Sequence, residues 1–164
     1  MAFSVHRIDG LVYGQPHHCR DVVFLRSDEQ MRDLDAEIIF KALKDRDKRK
    51  MLNTFDWWAR GNNGPTQWFH GFDDESRKRC FVFKRRKSKT RYRYYGFLIH
   101  PTPKTNPRYE LCVLTNHAQK NTEQTDASET NFANAMRLRN EVTSAIQKEF
   151  PEKKEDRNAT PYVH

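Results

Sequence analysis

Between Arg77 and Arg93 the chain places ten Lys or Arg in seventeen residues and no acid, a third of the 30 cations it has. So dense a run of one charge does not fit a core and must line a surface. It is not a structureless basic tail either. Cys80–Phe83 and Tyr92–Ile99 thread it with the aromatic and β-branched residues that pleated strands favour. The stretch therefore predicts a basic hairpin, with Arg85–Thr90 as its loop. Such a hairpin holds a polyanion by charge and presents rings for bases to stack on.

The remaining chain sets the frame for that hairpin. Its 164 residues suit one domain with its own core. With 36% hydrophobic and 32% charged residues, one sheet with a few helices is expected rather than two cores. The net charge of +8 points to an anionic partner, whether nucleic acid, a membrane surface or an acidic protein. The three cysteines, Cys19, Cys80 and Cys112, are odd in number and widely spaced, as free thiols in a reducing compartment would be. No apolar run approaches the ~20 residues of a membrane span. The N-terminus also lacks the apolar segment of a signal peptide, so a cytoplasmic, non-membrane protein is expected.

Taken in order, Phe3–Ile8 and Leu11–Tyr13 flank Asp9-Gly10, the signature of a type I′ turn, and predict an N-terminal β-hairpin extension within residues 1–20. Asp21–Arg26 reads as a buried strand. Ser27 followed by Gln30 is a capping-box pattern, opening a helix with Met31, Leu34, Ile38 and Ala42 on one stripe. A second helix from Asp47 sets Met51, Phe55, Trp58 and Ala59 on one face and stops at Gly61-Asn62-Asn63-Gly64-Pro65. Phe55, Trp57, Trp58, Trp68 and Phe69 read as core aromatics, with a stacking platform as the other option. Tyr109–Thr115 is a further strand. Asp126 with Glu129 caps a last helix that runs to Phe150, with Phe132, Ala135, Met136, Val142 and Ile146 apolar. His17-His18-Cys19 has the look of a metal cluster, and Asp73-Asp74-Glu75 is the one acidic cluster in its half of the chain. Adjacent residues with no answering cluster make poor sites, so no metal is expected. The sum is an α+β domain over residues 1–150, a small antiparallel sheet with two helices before and one after the basic hairpin. Residues 151–164 form a flexible polar tail.

This order, with three local patterns, resembles the RelE/HigB superfamily of toxins from bacterial type II toxin–antitoxin pairs. Cys80–Lys84 is similar to that family's strand ending in a basic residue. Tyr92-Arg93-Tyr94-Tyr95 is similar to its "Y-R-x-x-Y" strand, and Val113–Thr122 to the "L-L-h-x-F-x-K-K-T" segment before a helix. The resemblance covers roughly Asp21 to Val142. It implies a RelE-like fold and a cofactor-free, metal-independent endoribonuclease that cleaves mRNA on the ribosome and inhibits translation. A cognate antitoxin as protein partner is implied too. The chain departs from the pattern in its extra length, its expanded Arg85–Thr90 segment, Cys80 and Val82 at positions where some members carry Lys, and Asn121 for the second Lys of K-K-T.

Metal-free RNA cleavage needs a base for the 2′-OH, a cation for the charge on phosphorus and an acid for the leaving 5′-oxygen. Lys84, crowded by Arg85, Arg86 and Lys87, is the candidate base, since like charge disfavours its ammonium. Arg93 offers a fork for phosphate oxygens. His117 is the candidate proton donor, and Lys120 a second phosphate contact matching the family's basic position. Arg85, Arg86, Lys87 and Arg91 are expected to bind RNA phosphates. Strand alternation sets Arg91, Arg93 and Tyr95 on one face, so Tyr95 is expected to stack on a base. Two other readings stay open: a non-catalytic nucleic-acid-binding module, and a ParE-like inhibitor of DNA gyrase.

Overall fold

The computed structural model describes residues 2–14, 18–62, 68–72, 75, 77, 79–87, 90–120 and 127–152; for 86, 87, 90, 91 and 120 it describes the backbone alone. Among these residues run β1 (Phe3–Arg7), β2 (Arg20–Ser27), α1 (Ala36–Ala42), α2 (Asp45–Ala59), β3 (Phe69–Gly71), β4 (Cys80–Lys87), β5 (Thr90–Ile99), β6 (Glu110–Lys120), α3 (Ala127–Arg137) and α4 (Asn140–Glu149). The strands form one six-stranded sheet in the order β1-β2-β6-β5-β4-β3. It is an α+β fold, but the sheet is mixed. β2 runs parallel to β6, with Val22 opposite Cys112 and Phe24 opposite Leu114, while the other neighbours are antiparallel. The expected all-antiparallel sheet is corrected at this one seam. The connection between β2 and β6 contains α1, α2 and the hairpin, which is long enough for a crossover.

Alternation along the strands divides the core into two layers. Val22, Phe24, Phe81, Phe83, Tyr94, Cys112 and Leu114 face α1 and α2, where they meet Phe40, Met51, Phe55 and Trp58. Val5, Val23, Leu25, Phe97, Leu111 and Val113 face the other way and meet Met136, Val142 and Ile146 of α3 and α4. The α2 face is as its spacing foretold, with Met51, Phe55, Trp58 and Ala59 all buried. The helix ends at Gly61, whose φ of 89° takes the left-handed cap that a Cβ would strain.

Four local expectations are revised. Leu11–Tyr13 forms no strand; β1 pairs with β2 instead, Phe3 opposite Ser27 through Arg7 opposite Val23. The Tyr13 hydroxyl takes over locally, accepting the Ile8 N–H at 2.8 Å and donating to the Val22 carbonyl at 2.6 Å. The first helix starts at Ala36 rather than after Ser27. The Ser27 hydroxyl accepts the Glu29 N–H in a tight turn, and the Asp28 backbone pairs with Ala2. Its buried positions are Ala36, Glu37 and Phe40, while Ile38 is 54% exposed. The last helix is two helices, broken where Arg139 is extended at φ −80°, ψ 129°. α3 lies over β4, β5 and β6 and α4 packs on β1, so one straight rod does not serve both contacts. Finally, the tail begins anchored: Glu152 accepts the Lys104 N–H at 2.8 Å and the Thr105 hydroxyl at 2.7 Å. Residues 153–164 lie outside the described residues.

No helix among the described residues is long and apolar enough to cross a membrane. Cys80 and Cys112 are buried and Cys19 is exposed, and none of the three is in a disulfide.

Candidate nucleic-acid interface

The basic residues stand on strands rather than on a loop. β4 and β5 stay paired out to Lys87 opposite Thr90, four residues further than the apolar run Cys80–Phe83 foretold for the first strand (Ser88 and Lys89 lie outside the described residues). Likewise β6 continues past Thr115 to Lys120, because Asn116–Lys120 pair with the basic end of β5. Three strands therefore share one ladder, and its rows can be read across. Lys84 is opposite Arg93, which is opposite Ala118. Arg85 is opposite Tyr92, which is opposite Gln119. Arg86 is opposite Arg91, which is opposite Lys120. The last row is cationic on all three strands, and like charges directly opposite one another destabilise a sheet. A polyanion laid across the rows would remove that cost.

Behind the rows the sheet carries an irregularity with a large consequence. Tyr95 is opposite Asn116 but Gly96 is opposite Leu114, so Thr115 is an extra residue on β6. One inserted residue swaps the two faces of a strand. Leu114 and His117 therefore both lie on the α1/α2 side, where unbroken alternation would have separated them. The His117 ring packs 4.8 Å from Tyr94 and 5.9 Å from Tyr92, and its backbone N–H donates to the Asp35 carboxylate at 2.8 Å. Arg93, by contrast, alternates with Tyr94 and falls on the α3 side. Sequence reasoning expected His117 and Arg93 around one phosphate; the bulge puts them on opposite faces.

Burial changes the roles of two further residues. Tyr95 is fully buried and Arg93 is 1% exposed, beneath α3. Asn116 Nδ2 donates to the Glu129 carbonyl and the Cys80 thiol to the Thr130 carbonyl, which fastens α3 over this part of the sheet. Tyr95 thus has no free ring face for a base, contrary to its expected role. Lys84, in the same row as Arg93, is only partly buried. For Arg86, Lys87, Arg91 and Lys120 the ladder positions stand as given above.

His117 has a depressed basicity. Burial disfavours the imidazolium and lowers its pKa to about 4 from an ordinary 6.5. Its Nε2 is buried with no hydrogen-bond partner among the described residues. At neutral pH the ring is therefore neutral and does not supply the proton that the sequence reading assigned to it. The unfolded chain binds this proton below pH ~6.5 and the folded chain only near 4. Stability contributed by the neutral ring is thus present at pH 7 and lost as pH falls through that window. The loss amounts to roughly 2–3 kcal/mol once partial solvent access is allowed for. We expect His117→Phe to flatten the fall of urea midpoints between pH 7.5 and pH 4.5; parallel curves for the two proteins would remove His117 as its source. Asp21 and Asp35, raised chiefly by burial, act with the opposite sign and cancel in the comparison.

The structure brings in residues that the sequence reading had left in the core. Trp68 is 36% exposed, with the Arg85 guanidinium 4.7 Å from its ring centroid and Trp57 meeting it edge-on at 5.7 Å. Phe55, Trp58 and Phe69 are core aromatics as expected. β3, which carries Phe69, was not foreseen, since a three-residue strand leaves no periodicity to read. His100 has its Nδ1 3.0 Å from the Tyr109 carbonyl.

A second charged cluster lies at the far edge of the sheet. The buried Glu37 carboxylate meets His6 Nδ1 at 2.9 Å and Arg26 Nε at 3.3 Å in a cleft of about 480 Å³, and so ties α1 to β1 and β2. Among the described residues no group of three or more His, Cys, Asp or Glu is placed to hold a metal ion; His17, Asp73 and Asp74 lie outside them. Compared with protein-family models, curated proteins and solved structures, the chain gave no match.

Proposed function

We propose that this chain binds RNA through the β4–β5–β6 ladder. The observation that carries the reading is the row Arg86–Arg91–Lys120, three cations in direct register on adjacent strands, with Lys84 and Arg93 two residues behind. A net charge of +8 adds long-range attraction for a polyanion. Phosphate contacts from Lys84, Arg86, Arg91 and Lys120 on single-stranded RNA give log K a slope of about −3 against log salt. Anisotropy of a labelled oligoribonucleotide across a salt series measures that slope. A flat response, or no binding at low salt, would refute the reading.

A second reading is that of a RelE-like fold acting as a ribosome-dependent mRNA endonuclease, silenced by an antitoxin. The resemblance supports it, together with the direct opposition of Lys84 and Arg93, which sets a candidate base beside a phosphate-binding cation. Against it stand the neutral His117 on the other face and the burial of Arg93. Its test is induced expression of wild type beside Lys84→Ala, with growth, bulk translation and primer extension on a reporter mRNA. Growth arrest with discrete cuts, both lost in the variant, supports the enzyme. Arrest with intact mRNA points to a protein target such as gyrase. Normal growth with intact mRNA leaves the binding module.

A further inference from the structure

Resting on the RNA-binding reading above, we infer that Trp68 and Arg85, with Tyr92 beside them, form a stacking site for an unpaired base, so that the hairpin selects single-stranded over duplex RNA. The core does not need the exposed part of Trp68. Its neighbour Phe69 supplies the packing there, with its ring against Trp58, Phe81 and Phe83 at 5.2–5.6 Å. Trp68 itself remains more than a third exposed at the sheet edge.

The indole is nonetheless held in place. Its backbone carbonyl accepts the Lys84 N–H at 2.8 Å, Trp57 abuts its edge, and the Arg85 guanidinium lies over it. Ordering the ring before binding removes an entropic cost that a loose side chain would incur. The guanidinium provides a second planar surface and a positive charge next to the base.

The position along the ladder fits this use. Arg85 and Tyr92 occupy the row between Lys84–Arg93 and Arg86–Arg91–Lys120. Alternation turns this row to the α1/α2 side, away from the cationic rows, so Arg85 itself is the cation that holds a strand at Trp68. Only an unpaired base offers a free π-face; in a duplex those faces are spent on neighbouring bases, and the A-form grooves present base edges rather than faces. Charge draws both forms, and the ring distinguishes them.

The test is fluorescence anisotropy at low salt with a short labelled oligoribonucleotide, single-stranded or annealed to its complement. Wild type is compared with Trp68→Ala and Trp68→Phe, with thermal unfolding of each as the check on folding. We expect Trp68→Ala to weaken single-strand binding roughly 5- to 50-fold and duplex binding less than about twofold, and Trp68→Phe to restore most of the loss. An equal loss on both ligands, or none on either, overturns the stacking site while leaving the charge-based reading in place. No binding of any RNA by wild type overturns both.

Discussion

Replacing Gly96 by Ala should cost at least about 3 kcal/mol and lower the melting temperature by roughly 10 °C, or prevent folding altogether. Gly96 sits at the β5–β6 irregularity, and a methyl group built on it collides with the Val113 carbonyl oxygen. The same methyl stands 2.9 Å from the Val113 carbonyl carbon and 3.0 Å from Phe81 Cζ. The obstruction is backbone of the adjacent strand, so no side-chain rotation relieves it. Leu111, Cys112, Val113 and Leu114 are fully buried between the two helical layers, so β6 has nowhere to retreat. Gly71, at the sheet edge with nothing within 4 Å of its added methyl, is the internal control. Thermal unfolding by circular dichroism should separate the two alanine variants clearly. A Gly96→Ala protein melting with wild type would mean that the strands are not this close.

The second large effect concerns the cationic row. Converting Arg86, Arg91 and Lys120 together to Gln should lower RNA affinity roughly 100- to 1,000-fold at low salt and reduce the salt slope by about 2. The same variant should be no less stable than wild type, because removing like charges from facing positions relieves repulsion. This pairing of outcomes distinguishes a binding surface from a structural one. Unchanged affinity with the fold intact would sink the proposed interface. A large loss of stability would show that the cations are held by partners within the protein.

How much could be read from the chain alone varies with the range of the interaction. The α2 face was legible because Met51, Phe55, Trp58 and Ala59 repeat at the helical period and Gly61 closes the helix, both local properties. The basic hairpin was legible for the same reason, although the strands extend further into the cations than their apolar residues suggested. The α1 boundary was not. Ser27 and Gln30 carry a valid capping pattern, but the extra ladder contacts of Asp28 with Ala2 outweigh it. The continuous helix from Asp126 failed likewise, since no Gly or Pro marks the break at Leu138–Arg139.

The site divides along the same line. The sequence by itself determined which residues are cationic, that they lie on a hairpin, and that the fold is α+β with helices on a sheet. Those follow from composition and short-range periodicity. Only the tertiary structure decided that β2 lies parallel to β6, since strand partners are chosen by packing across the whole core. It alone decided that Thr115 is an added residue and so turned His117 away from Arg93. It also buried Tyr95 and exposed Trp68. Which face a side chain takes depends on every residue between it and the next irregularity in the ladder, and how exposed it is depends on what the rest of the chain lays over it.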